Sequence, residues 1–99
     1  MKRQGDLLIV KVKKIPEGAV IKNNRVLAEG EATGHLHELD SGEVYEVGDT
    51  LYFRVEAGKT ATLNHPEHKA VTFEEGEYKL IRQREYIPNE WKTRIVKGD

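Results

Sequence analysis

In Leu51-Tyr52-Phe53-Arg54-Val55 apolar and polar positions alternate, so Leu51, Phe53 and Val55 share one face of an extended segment while Tyr52 and Arg54 share the other. That pattern predicts a strand with one buried side. Similar short runs recur along the chain as DLLIVKVK, AVIK, RVLAEG, ATGHLHEL, EVYEV, TATLN, AVTFE and EYKLIRQREY. Leu7 to Val10 is apolar at every position, which predicts a central strand covered on both faces. No long stretch carries apolar residues at spacings of three and four, so no long helix is expected. The stretch IPNEWKTRIV leaves open one short helical turn after Pro88 or a final strand from Thr93 to Val96.

Turn-forming residues punctuate these runs at the roughly eight-to-twelve-residue spacing of small β-domains. The fold class expected is therefore all-β: one domain over residues 1–99, a barrel or compact sandwich of about seven or eight short antiparallel strands. Asn23-Asn24 suits a two-residue hairpin loop, and Glu75-Gly76 a similar one. Gly5-Asp6 and Gly48-Asp49 each precede an apolar strand and read as turn chemistry. Leu8, Val10, Val26, Leu51, Phe53, Val55, Leu63, Tyr78 and Leu80 are the expected core. Many short strands leave unpaired edges, and association into a homo-oligomer is one way to cover them.

Composition narrows the functional classes. Lys and Arg total 16 against 17 Asp and Glu, so no overall field recruits nucleic acid or an anionic membrane. The chain has no cysteine, which removes disulfides, thiolate nucleophiles and Cys-containing zinc sites. The apolar run near the N-terminus, Leu7 to Val10, is followed by lysines and is too short for a signal peptide or a membrane span. A cytoplasmic location is the default expectation.

The chemistry lies with the histidines, of which the chain has 4, in two short motifs. His35 and His37 stand one residue apart, so a strand presents both rings on one face and Leu36 on the other. His65 and His68 flank a Pro-Glu pair in a turn. If the two pairs end on neighbouring strands, their imidazoles suit a divalent transition metal such as Zn, Mn, Fe or Ni. Glu67, Glu38, Asp40 and Glu43 are the nearby carboxylates for a second shell or a base, with Glu67 the best placed and Glu38 facing away. A metal-free role is equally open: ordinary hydrogen bonding on a half-exposed face, or acid–base work in phosphodiester cleavage.

In LIRQREY, Arg82 and Arg84 share a strand face and form a candidate anion clamp, with Tyr86 and Trp91 to stack on and Lys79, Lys92 and Arg94 nearby. A nucleic-acid surface there is the less favoured reading; a solvated strand pairing with Glu75, Glu77 and Glu85 is preferred.

The TGHLH strand resembles the first motif of the cupins, small β-barrels with an H-x-H pair. Here Ser41 and Gly42 occupy the glutamate positions of that motif, Glu43 follows one residue late, and His65 precedes rather than follows its proline. Over most of its length the chain is more similar to small uncharacterised bacterial and phage-borne proteins. They share QGD before an apolar strand, AEGEATGHLHEL, HPEHKAV, and a late G-x-Y leading into RQREY-x-P. That resemblance implies that the histidine pairs belong to a recurring design. The leading expectation is a metal-binding histidine cluster, with hydrolysis as its candidate chemistry. A non-catalytic assembly module and a metal-independent nuclease-like site are the alternatives.

Overall fold

The computed structural model describes residues 1–30 and 33–82. Arg84, Tyr86, Trp91, Lys92 and Arg94, the side chain of Arg82, and the helix-or-strand alternative after Pro88 lie outside the described residues.

Among the described residues ten strands follow one another: β1 (Lys2–Gln4), β2 (Leu7–Val12), β3 (Val20–Ile21), β4 (Val26–Glu29), β5 (Leu36–Leu39), β6 (Glu43–Val47), β7 (Thr50–Val55), β8 (Ala61–Asn64), β9 (Val71–Phe73) and β10 (Gly76–Arg82). They form a six-stranded sheet, β1-β2-β10-β7-β6-β3, and a four-stranded sheet, β4-β5-β8-β9, in which every pairing is antiparallel. The all-β expectation holds, as an open two-sheet arrangement rather than a closed barrel. The strand count exceeds the seven or eight expected. β1 in particular reads Lys-Arg-Gln and carries no apolar residue by which a pattern could show it. Among the described residues, no helix is long and apolar enough to cross a membrane.

Both glycine-aspartate turns close hairpins. Gln4 pairs with Leu7 across Gly5-Asp6, and Val47 pairs with Thr50 across Gly48-Asp49. Gly5 and Gly48 have φ of 61° and 60°, while neither aspartate has positive φ, the sign pattern of a type II′ turn. The other two hairpin expectations are corrected. Asn23-Asn24 joins β3 to β4, and Glu75-Gly76 joins β9 to β10, and in both cases the strands belong to different sheets. Neither asparagine adopts positive φ; instead Asn24 Oδ1 accepts a bond from the Val26 amide at 3.0 Å, starting β4.

The core lies between the sheets. Phe53 and Tyr78 from the larger sheet meet Phe73 from the smaller one, with ring centroids 4.9 to 5.2 Å apart. Leu7, Ile9, Val44, Leu39 and Leu63 surround them, fully buried. Of the expected core, Leu8, Phe53, Val55, Leu63, Tyr78 and Leu80 are buried, whereas Val10, Val26 and Leu51 are only partly covered. Leu7, Leu8 and Ile9 are buried on consecutive, opposite-facing positions, so the central-strand reading holds for the first half of β2. A register shift in β4 between Val26 and Ala28 turns both Leu27 and Ala28 inward.

Candidate functional site

The smaller sheet positions the histidines through the two-residue period of its strands. Along β5, Leu36 and Glu38 are exposed while His37 and Leu39 are buried, so His37 continues the inward row of the core to its polar end. β5 pairs with β8 through Glu38–Asn64 and Leu39–Leu63. One step further along this register, position 37 meets position 65, where the chain leaves β8.

The turn after β8 is held by an imidazole. His65 Nδ1 accepts the backbone N–H of Glu67 at 3.0 Å and of His68 at 3.2 Å, much as an Asx side chain closes its own turn. This folds His68 back, and the two rings lie 4.5 Å apart. The pairs thereby meet: ring centroids are 4.3 Å apart for His37 and His65, 5.9 Å for His37 and His68, and 5.6 Å for His35 and His65. Burial lowers the His65 pKa below the ordinary imidazole value, and the neighbouring His68 and His35 rings lower it further, with Glu67 opposing.

Two residues not singled out as site candidates complete the inner wall. Gln4, on β1, is buried; its Oε1 lies 2.8 Å from His37 Nδ1, and its Nε2 donates to the carbonyls of Leu63 and Lys69 at 2.8 and 2.9 Å. Gly5 follows it, and an added Cβ there would crowd His68 and His37. A signal existed in QGD, but a strand of three polar residues does not announce that its last side chain points inward.

Of the four candidate carboxylates, Glu67 lies against an imidazole, its Oε1 3.7 Å from His35 Nδ1. The pair is partly exposed and adds little stability. His35 Nδ1 is itself buried and has no hydrogen bond among the described residues. Glu38 faces away from the rings, as expected from its parity. Asp40 accepts the Thr62 amide at 2.8 Å across the β5–β8 junction. Glu43 lies on the larger sheet, where it accepts from the Tyr45 hydroxyl at 2.7 Å and faces Arg54. The hydroxyl hydrogen bond to Glu43, followed by burial, raises the Tyr45 pKa, against the lowering effect of Arg54. An open groove beside His35 and His65 runs past Gly34, Asn64 and Pro66 onto the outer sheet face that carries Leu36 and Glu38. Among the described residues, no three His, Asp or Glu side chains stand with their donor atoms already converged for a metal ion.

Residues 3–83 match the model of a family described as a domain of unknown function (DUF8820). The chain belongs to that family. The matched span contains Gln4, Gly5 and all four histidines, so the whole histidine face lies within the family domain. No curated protein and no solved structure matches the chain.

Proposed function

We propose that the histidine face binds a divalent transition metal, Zn, Mn, Fe or Ni. One observation carries the reading: rings from two separate segments meet, with the His37 centroid 4.3 Å from that of His65 and 5.9 Å from that of His68. Metal–imidazole bonds are about 2.0–2.1 Å for zinc, so pairs separated by more than roughly 10 Å share no ion. The lowered His65 pKa favours its neutral form, which sets no positive charge beside a bound cation. Inner and outer parts of the face differ in freedom. His37 is buried and tied to Gln4, whereas His68 and Glu67 are exposed on the turn. Closure on an ion is therefore a rotation of the exposed side chains onto a fixed inner ring. The turn side of such a site, where His68 and Glu67 are exposed, is open to solvent, and there an ion would acidify a water, with Glu67 as the nearby base; hydrolysis is the reaction class this arrangement serves.

The test is zinc titration of protein purified without a histidine tag, followed by calorimetry and thermal melting. Saturable binding of one ion per chain and a chelator-reversible rise in Tm are expected, since a ligand at about 100 times its Kd stabilises by about 2.7 kcal/mol. An unchanged Tm at saturating zinc, nickel and manganese would overturn the reading.

A further inference from the structure

The amide of Gln4 is only 2% exposed, and each side of it has a defined partner. Its Nε2 has two hydrogens and faces two carbonyl oxygens, those of Leu63 and Lys69. Exchanging its oxygen and nitrogen would set an oxygen against both carbonyls, so the amide has one orientation. Its Oε1 therefore faces His37 Nδ1, and an amide oxygen only accepts. Nδ1 of His37 must carry the hydrogen, which leaves the lone pair of the neutral ring at Nε2. His65 is constrained the other way. Its Nδ1 accepts two backbone N–H groups, so its neutral ring carries the hydrogen at Nε2.

We infer that Gln4 is a positioning residue that fixes His37 in the Nδ1–H tautomer and so presents Nε2 as the metal-binding nitrogen, while the HPEH turn fixes His65 in the opposite tautomer. The two inward imidazoles are then unlike. His37 offers an electron pair, and His65 offers an N–H that donates to whatever oxygen ligand completes the ion. The assignment of His37 as a ligand rests on the metal reading above; the tautomers do not, because they follow from bonds within the protein. An outer partner that orients a ligating imidazole is worth roughly 10- to 100-fold in metal affinity. The same amide joins β1 to the carbonyls of Leu63 in β8 and Lys69 before β9, so it bridges the two sheets beneath the rings.

The experiment is nitrogen-15 NMR of the imidazoles in metal-free, full-length protein at about pH 8, above the ordinary histidine range. A protonated Nδ1 and an unprotonated Nε2 are expected for His37, and the reverse protonation for His65. The Nε2–H form, or averaging between both forms, at His37 overturns the proposal. Gln4→Leu should release the His37 tautomer and weaken zinc binding by roughly 10- to 100-fold. Gln4→Glu keeps an acceptor for Nδ1–H but loses the donations to Leu63 and Lys69, so the tautomer should persist while Tm falls. That variant separates positioning from packing, and it decides the matter with the parent spectrum if Gln4→Leu does not fold. The stated tautomers in a protein that binds no metal uphold the fixed rings and overturn the metal reading instead. A folded Gln4→Leu with unchanged tautomer and affinity overturns the role of Gln4.

Discussion

A Cβ placed on Gly5 would stand 2.9 Å from Nε2 of His68 and 3.3 Å from Cε1 of His37. The hairpin that opens the chain thus forms part of the wall of the histidine face. Gly48 has nearly the same φ, and nothing lies within 4 Å of its virtual Cβ. Gly5→Ala and Gly48→Ala should therefore share a left-handed backbone cost of about 1–2 kcal/mol each. Only Gly5→Ala should also shift the His68 ring signals and weaken zinc binding. Equal zinc affinity in the two variants would show that the first hairpin does not shape the site.

How far the sequence discloses this arrangement depends on what each signal measures. The alternation in Leu51 to Val55 reports a buried face, and Phe53 and Val55 are buried as it requires. The spacing of His35 and His37 gives their relation along the strand, and antiparallel β5–β8 pairing brings the second pair alongside. The partition into two sheets is not legible, because Asn23-Asn24 and Glu75-Gly76 turn the chain equally well between sheets as within one. Gln4 is hidden for another reason. Its burial is set by Leu63 and Lys69, 59 and 65 positions away.

Removing the His37 ring leaves Gln4 Oε1 in a buried place without its donor. His37→Ala should cost about 1–3 kcal/mol from that loss alone, in addition to abolishing the chelator-sensitive part of stability. His35 is only partly buried, and its carbonyl bond to Gly30 comes from the backbone. His35→Ala should change stability by less than about 0.5 kcal/mol in metal-free protein. Urea unfolding of both variants with and without chelator checks the contrast; equal losses would place His37 outside any structural network.

The depressed His65 pKa has a definite sign in the stability profile. The unfolded chain takes up a proton near the ordinary value of 6.5, and the folded chain does so only at lower pH. The contribution is therefore fully present above about 6.5 and is lost as pH falls through the folded pKa. Protonation at Nδ1 would also expel the two backbone donors of the turn. Metal-free protein should lose stability as the pH falls below about 6.5, and His65→Gln should flatten that slope. A variant with the parent slope would assign the pH dependence to another group.

The wall of the histidine face is drawn from Gln4 and Gly5 at one end of the sequence and from His37, His65 and His68 far along it. No isolated hairpin among the described residues contains all of these groups, so on the proposed reading affinity for metal would arise only once distant strands have docked. Kinetically, such a site belongs to the native side of the folding barrier. Zinc added during refolding should leave the folding rate nearly unchanged and express its stabilisation as slower unfolding. Stopped-flow refolding and unfolding with and without zinc would read that division. The ion would act as a lock on a finished chain rather than as a template for an unfinished one.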